Sequence, residues 1–351
     1  MSGGISQLVA TGAQDVHLVG DPQVSFFRSN YKRHTNFSAV RARQVVQGTV
    51  QAGGMSTVRF EKKGDLLSYT YLTKHADGDV SETIGVGDIS YVELYIGGQL
   101  IDTQYPDYSL IQWTGLEANS YSKAQPSQKF YPLHFFFSDN WTNALPLVAL
   151  QYHDVEIRIY WASSPFNPTG KTFQCWSNFI YLDEAERTYF AENTQNMLIK
   201  QVQRSVSNEK SVQSFNFNHP VLYIGCPRAG ALTSGADDLI TELQFNINGV
   251  QSGEAMRIIP HFRNVPGYYH APDAGDGNDD SPFCLPFALN LCSNQPSGSL
   301  NFSRLDSSRL EIVTSGETFR TGVAPAGVVF YAVNWNVLKI ENGMGGLMYS
   351  N

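Results

Sequence analysis

The run ISYVELYIGG, Ile89–Gly98, returns in the second half of the chain as ITELQFNING, Ile240–Gly249. In both runs apolar and polar side chains alternate with a period of two, and each run ends in a glycine turn. This pattern is typical of a strand that enters a hairpin. Ile96 falls on Ile247 when the runs are aligned, so the same strand and turn occur twice.

Two further correspondences follow in the same order along the chain. Leu133, Phe135 and Phe137 match Phe287, Leu289 and Leu291, and Glu156–Ile159 matches Arg309–Ile312. Each copy has the length of an ordinary domain, too long for a stacking repeat. We therefore predict an all-β chain of two tandem eight-stranded antiparallel sandwiches, most simply a double jelly roll, with short inserted helices. The predicted bounds are an N-terminal arm over 1–40, a first jelly roll over 41–194 and a second over 195–351.

The composition favours a protein that meets other proteins. Charged residues make up 16% and aromatic residues 13%, and subunit interfaces are poor in charge and rich in aromatic rings. Two large β cores that need aromatic side chains are the alternative explanation. The net charge of −8 argues against direct binding of nucleic acid, which requires a basic surface.

The cysteines and the N-terminus bear on the place of synthesis. Four cysteines without a C-x-x-C pair predict buried free thiols rather than a disulfide framework, as expected for synthesis in a reducing cytosol. The N-terminus has no secretory signal pattern and no run reaches the roughly 18 apolar residues of a spanning helix. The three N-x-S/T sequons, at Asn36, Asn140 and Asn301, are accordingly interpreted as chance matches.

No motif for catalysis, a cofactor or a metal stands out. A Gly-x-Ser-x-Gly elbow, a phosphate-binding glycine loop and a His-x-His pair are all missing, so no catalytic, cofactor-binding or metal-binding residue is predicted. The acidic run over 273–280 is oxygen-rich but lacks the ligand spacing of a calcium loop. A solvated loop is the favoured interpretation of this run.

The arm carries two aromatic residues beside a basic cluster. Phe26 and Phe27 precede Arg28, and Tyr31 and Arg33 follow closely. A solvated basic face is one interpretation of this segment. The favoured one is a docking peptide for neighbouring subunits or anionic headgroups.

Several segments resemble the major capsid proteins of nucleocytoplasmic large DNA viruses. The similar segments span nearly the whole chain and include GISQLVATGAQD (Gly4–Asp15), FFRSNYKRHTNF (Phe26–Phe37), YPLHFFF (Tyr131–Phe137), ALPLVALQY (Ala144–Tyr152), QPSGSLNFSRLD (Gln295–Asp306) and the tail Tyr331–Asn351. The chain is short for this family, which places the outward loops in doubt rather than the fold.

The resemblance implies a structural, non-enzymatic protein of the virion. It implies a double jelly roll that forms a homotrimer, a pseudo-hexagonal capsomer that contacts neighbouring capsomers and minor capsid and penton proteins. Such capsomers tile an icosahedral shell around an inner membrane and a DNA genome. The arm then faces inward, with Phe26, Phe27, Arg28, Tyr31 and Arg33 as the predicted contact residues.

Two other functions are compatible with a β sandwich. A tandem lectin would stack sugar rings on Trp141, Trp161 and Trp176, although core or interface positions are the favoured interpretation of these tryptophans. An enzyme on the same scaffold would need a His and carboxylate arrangement, which the sequence does not provide.

Overall fold

The computed structural model describes residues 12–76, 80–84, 87–108, 129–163, 166–206, 212–226, 240–262, 264–270, 283–291, 293–314 and 329–349. The chain divides between Asn36 and Phe37 into two compact units. In the first unit, the described residues form a 3-10 turn, Ala13–Asp15, and a short helix α1, Val16–Val19. The predicted bounds at 40/41 and 194/195 stay predictions.

The second unit begins with a sandwich over 37–182, called the first sandwich below. Its strands are β1 (Phe37–Gln44), β2 (Val46–Gln47), β3 (Met55–Arg59), β4 (Leu66–Ala76), β5 (Val80–Glu82), β6 (Ile89–Ile96), β7 (Gln99–Gln104), β8 (Tyr131–Leu133), β9 (Leu145–Pro146), β10 (Val155–Trp161) and β11 (Lys171–Leu182). Sheet 1 has the order β1-β11-β4-β5, with β8 and β9 also paired to β4. Sheet 2 has the order β2-β3-β10-β6-β7. A helix α2 (Phe136–Asp139) and 3-10 turns at Trp141–Asn143 and Leu147–Ala149 connect β8, β9 and β10.

A helix α3 (Glu184–Glu192) leads into the second sandwich, over 195–347. Its strands are β12 (Gln195–Val206), β13 (Val212–Phe215), β14 (Pro220–Cys226), β15 (Ile240–Ile247), β16 (Val250–Gln251), β17 (Met256–Arg257), β18 (Phe283–Pro286), β19 (Leu300–Asn301), β20 (Ser308–Thr314), β21 (Val329–Glu341) and β22 (Met344–Leu347). Sheet 3 has the order β12-β21-β14-β18, with β19 on β14 and β22 on β21. Sheet 4 has the order β13-β20-β15-β16, with β17 on β15. Helices α4 (Ile258–His261) and α5 (Asn264–Tyr269) and a 3-10 turn at Phe302–Arg304 complete the described elements.

The hairpins after β6 and β15 confirm the correspondence on which the duplication was predicted. Ile96 pairs with Gln99 across one turn, and Ile247 pairs with Val250 across the other. All four turn residues have positive φ: Gly97 (58°), Gly98 (82°), Asn248 (50°) and Gly249 (79°). Two consecutive residues with positive φ form the type I′ turn, whose twist matches that of paired strands.

The other two correspondences have different outcomes. Ile157 pairs with Leu94, and Leu310 pairs with Phe245, so β10 and β20 occupy the same place beside β6 and β15. The middle correspondence is out of register, because Phe135 is fully buried whereas Leu289 is 75% exposed. In the first copy Leu133 is the last residue of β8, whereas its match Phe287 lies beyond β18, which ends at Pro286, so the alignment is displaced along the chain.

The core of the first sandwich follows the predicted alternation. Val92, Leu94 and Ile96 of β6 and the inward residues of β10 are buried. Trp161 packs on Phe173 with ring centroids 4.6 Å apart, and its Nε1 donates a hydrogen bond to Ser56 Oγ at 2.9 Å. Full burial of each aliphatic side chain of β6, such as Leu94, stabilises the folded state by about 1.5–3 kcal/mol.

Three cysteines lie where the sequence predicted. Cys175, Cys226 and Cys284 are buried, and burial raises the pKa of Cys175 to about 12. The environment thus keeps this thiol protonated and unreactive. Cys292 lies outside the described residues.

Candidate assembly surfaces

The two sandwiches meet edge to edge, with β7 of sheet 2 beside β12 of sheet 3. Gln201 Nε2 donates to the carbonyl oxygen of Ile101. The backbone N–H of Val202 donates to Asp102 Oδ1 at 3.0 Å. The carboxylate therefore satisfies a backbone donor at the edge of sheet 3, a group that would otherwise need water or another strand.

Asp102 is buried within this junction, and its protonation is coupled to that burial. Burial raises the pKa of Asp102 to about 7, while hydrogen bonds from Val202 N–H and from the Gln104 amide oppose the shift. Gln104 is itself held in place, because its Oε1 accepts the backbone N–H of His134 at 3.0 Å and its Nε2 donates to the carbonyl oxygen of the same residue. The junction thus contains a carboxyl group that titrates near neutral pH.

Apolar side chains make the junction continuous with the first core. Ile199, Leu338 and Ile340 belong to the second sandwich but are buried in the core cluster of the first. At Gly345 a Cβ atom would lie 2.8 Å from Leu150 Cδ2, so the β21–β22 hairpin fits closely only with glycine. The N–H of Gly345 also donates to His153 Nδ1 at 3.1 Å. Removing apolar surface from water is the main stabilising contribution here.

Two sheet edges outside the junction are exposed. Seven of the eight residues of β1 are exposed or half-buried, including Phe37 and Val40 at 53% and 51%. At the far side of the second sandwich, Val250 on β16 is 70% exposed, and Glu254 is exposed before β17. Exposed edge strands offer unpaired backbone groups and therefore favour pairing with another chain.

The arm unit exposes the residues that the sequence predicted as contacts. Phe26 is 93% exposed and Phe27 fully exposed, and Tyr31 is also exposed. Arg28 and Arg33 are exposed as well. The arm therefore presents both aromatic and cationic groups to solvent, and its inward contact stays a prediction.

The tryptophans proposed for sugar stacking do not share one surface. Trp161 lies in the core of the first sandwich, whereas Trp141 is exposed at a 3-10 turn. Trp176 on β11 donates from Nε1 to Gln174 Oε1 at 3.2 Å. For Trp161, the favoured interpretation as a core residue is confirmed.

The described part of the chain contains neither a cluster of metal ligands nor a membrane-spanning helix. Within it, no three His, Cys, Asp or Glu side chains group as metal ligands. Among the same residues no helix is long and apolar enough to cross a membrane. The acidic run over 273–280 lies outside the described residues.

The junction residues Asp102 and Gln201 were not predicted from the sequence. The available signal was a charged side chain inside a strand, in the segment Leu100–Gln104 that follows the Gly97–Gly98 turn. A charged residue is rarely buried unless it is paired or hydrogen-bonded. Its burial therefore marks a contact surface, but the partner strand lies far away in sequence.

Comparison with known proteins agrees with this architecture. Residues 25–183 match the family described as major capsid protein N-terminus, and residues 228–346 match the large eukaryotic DNA virus major capsid protein. The major capsid protein of Paramecium bursaria Chlorella virus 1 is 31% identical over 443 residues, covering 100% of both chains. That of Pyramimonas orientalis virus is 33% identical over 404 residues, again covering 100% of both. Both alignments exceed the 351 residues of this chain, so the relatives carry insertions.

Solved structures confirm the predicted double jelly roll. The crystal structure of PBCV-1 VP54, fitted into a reconstruction of the virophage Sputnik, has a TM-score of 0.76 and 26% identity, covering 93% of this chain and 100% of that one. The Faustovirus major capsid protein has a TM-score of 0.64 and 10% identity, covering 94% of each chain, and shows the fold alone. The relatives are structural proteins, which confirms the predicted non-enzymatic role. The chain belongs to the family of major capsid proteins of large eukaryotic DNA viruses.

Proposed function

We propose that three copies of this chain form a pseudo-hexagonal capsomer. The observation that carries this proposal is the edge-to-edge junction between two equivalent sandwiches, in which β7 of one meets β12 of the other. The two surfaces in contact are different, so the contact is head to tail. Head-to-tail contacts that close around an axis give a ring, and three chains of two sandwiches supply six positions.

Such capsomers would tile an icosahedral shell in the virion around an inner membrane and the DNA genome. The PBCV-1 virus capsid, which contains a chain similar to this one with a TM-score of 0.75, supports a place in a shell. The net charge of −8 supports contact with the genome through other proteins rather than directly. The remaining partners would be neighbouring capsomers and minor capsid and penton proteins, with synthesis in the host cytoplasm.

The arm is proposed to contact the minor capsid proteins or the inner membrane. Phe26, Phe27 and Tyr31 supply exposed aromatic surface, and Arg28 and Arg33 supply positive charge. This combination suits an interface that contains anionic headgroups, where aromatic rings insert and cations bind.

The native mass of the purified chain tests the capsomer. We expect light scattering to give three times the 39.0 kDa of one chain and negative-stain images to show a hexagonal outline. Burial within the trimer should be of order 2,000–5,000 Å² per interface, as in obligate oligomers. A stable monomer that binds glycans would contradict the proposal and favour the lectin function.

The arm is tested in the full chain by replacing Phe26 and Phe27 with serine. We expect the double variant to form trimers but to lose flotation with vesicles of anionic phospholipid and to assemble shells poorly. Leu18→Ser is the matched control, because Leu18 is also a strongly exposed apolar residue of the arm, at 84%, and lies outside the predicted contact. Equal flotation and assembly by wild type and both variants would refute the arm contact.

A further inference from the structure

Each sandwich has two sheets and therefore four sheet edges, and the internal junction uses one edge of each sandwich. The first sandwich contributes β7 and the second contributes β12. Among the remaining edges, β1 of the first sandwich and the β16–β17 segment of the second are exposed. If these edges are the structural counterparts of β12 and β7, the chain carries both halves of a second junction of the same kind.

The registers show that β1 is the counterpart of β12. Leu67 pairs with Phe179 and with Leu145, and Val221 pairs in the same way with Asn334 and with Leu300. A register shift follows directly after the pair Leu67–Phe179 in the β4–β11 ladder. A register shift likewise follows directly after the pair Val221–Asn334 in the β14–β21 ladder. Phe179 and Asn334 are therefore equivalent positions.

This equivalence extends to the edge strands. Val40 pairs with Phe179, and Gln201 pairs with Asn334. The next residue in each edge strand is Arg41 in β1 and Val202 in β12. Arg41 is exposed. Its equivalent in β12 is Val202, whose backbone N–H donates to Asp102 across the internal junction.

The registers likewise show that the segment before β17 is the counterpart of β7. Val92 of β6 pairs with Gln104, and the equivalent Leu243 of β15 pairs with Met256. Asp102 lies two residues before Gln104, and Glu254 lies two residues before Met256. Counted back from these pairs, Glu254 takes the place of Asp102. The second copy has one residue more between its hairpin and this pair, because Val250 and Met256 are six positions apart whereas Gln99 and Gln104 are five apart. Glu254 is exposed and lies between β16 and β17.

We propose that the contact between copies of this chain repeats the internal junction, with Glu254 of one copy bound to the β1 edge of the next copy at Arg41. This inference rests on the proposed trimer and identifies its contact surface. The Glu254 carboxylate accepts the backbone N–H of Arg41, as Asp102 accepts that of Val202, and faces the guanidinium groups of Arg41 and Arg43. Closure of three such contacts and three internal junctions completes the six-membered ring.

The surfaces on the two exposed edges are complementary. The β1 edge carries two exposed cations, Arg41 and Arg43, and half-exposed Val40. The other edge carries Glu254, the exposed side chains of Val250 and Met256, and one exposed cation, Arg257. Opposite charges select the register of an interface, while apolar side chains that lose contact with water stabilise it.

Charge reversal tests the pairing in the full chain. Glu254→Arg and Arg41→Glu should each raise the chain concentration at which half of the protein is trimeric by about tenfold or more, because three contacts per trimer become repulsive. The double variant Glu254→Arg/Arg41→Glu should recover most of the loss, because it restores the opposite charges in the reverse order. Glu192→Arg on α3, an exposed site that belongs to neither edge segment, should leave the trimer unchanged.

A cross-linking experiment gives a second, independent measurement. Arg41→Cys/Glu254→Cys treated with a short bismaleimide should give covalent dimers and trimers on denaturing gels, and Arg41→Cys alone should not. Circular dichroism of each variant reports whether the chain is folded. If the wild type is a trimer but the double charge reversal shows no recovery and the cysteines do not cross-link, this pairing is wrong and the trimer stands. If the wild type is a monomer at all concentrations, the trimer itself is wrong.

Discussion

Replacement of Asp102 by asparagine should remove a pH dependence from the stability of the junction. Asp102 is buried, with a pKa of about 7 in the folded chain against an ordinary value of 3.8. Because its folded-state pKa is raised, the folded chain holds this proton more tightly than the unfolded chain does. Stability from this group is therefore greatest at low pH, falls as pH rises from about 4 to about 7, and is constant above that range.

The size of the effect follows from the shift in pKa. One pKa unit corresponds to about 1.4 kcal/mol, so ionising Asp102 costs about 4 kcal/mol in full and about 2–3 kcal/mol between pH 5 and pH 8. Asparagine at position 102 keeps an oxygen that accepts the Val202 N–H. Its amide nitrogen, however, faces the amide nitrogen of Gln104, so two donors meet, and the hydrogen bond from Gln104 to the His134 carbonyl oxygen holds that nitrogen in place. That unsatisfied contact costs about 1–3 kcal/mol at every pH.

We expect Asp102→Asn to be less stable than wild type at pH 5 and about equal to it at pH 8. Urea unfolding at a fixed chain concentration, followed by tryptophan fluorescence, gives the free-energy difference at each pH. Hydrogen exchange at the Val202 amide reports the junction directly, because this N–H is the donor to Asp102. Glu192→Gln, which removes an exposed carboxylate of α3, controls for the loss of one negative charge.

The reasoning would be refuted by a difference between wild type and Asp102→Asn that stays constant from pH 5 to pH 8. A difference that grows with pH in favour of wild type would also contradict it, because ionised Asp102 would then stabilise the junction. Either result would mean that Asp102 is not buried as a neutral acid in solution.

Gly97→Ala should lower the free energy of unfolding by about 1–3 kcal/mol more than Gly98→Ala, as measured by denaturant titration of the two variants. Both glycines have positive φ, but only at Gly97 would a Cβ atom clash with a side chain, the ring of His153. Equal losses would contradict the predicted clash. Trp161→Phe should lower the free energy of unfolding, measured by thermal unfolding, by about 1–3 kcal/mol. The smaller ring leaves a cavity, and the buried Ser56 hydroxyl loses its hydrogen-bond donor. Burial raises the pKa of Cys175 to about 12, so this thiol should resist Ellman's reagent at pH 8 in folded protein and react after unfolding, and fast labelling of the folded chain would count against its burial.

Much of the local structure was predictable from alternation and turn residues. The period of two placed Val92, Leu94 and Ile96 on the inward face of β6, where the structure buries them. These features depend on neighbours within a few residues, which the sequence displays directly. The correspondence of Phe135 with Leu289 failed because similar hydrophobic runs do not reveal where a strand ends.

The duplication, the inward faces and the type I′ hairpins were determined by the sequence alone. The different surroundings of β1 and β12 were decided only by tertiary structure, although the two strands occupy equivalent places in their sheets. β12 is covered because β7 lies beside it, whereas β1 has no such neighbour among the described strands of the same chain. The contact between Asp102 and Val202 joins residues 100 positions apart. Burial and pKa depend on which distant groups fold together, and a local pattern does not contain that information.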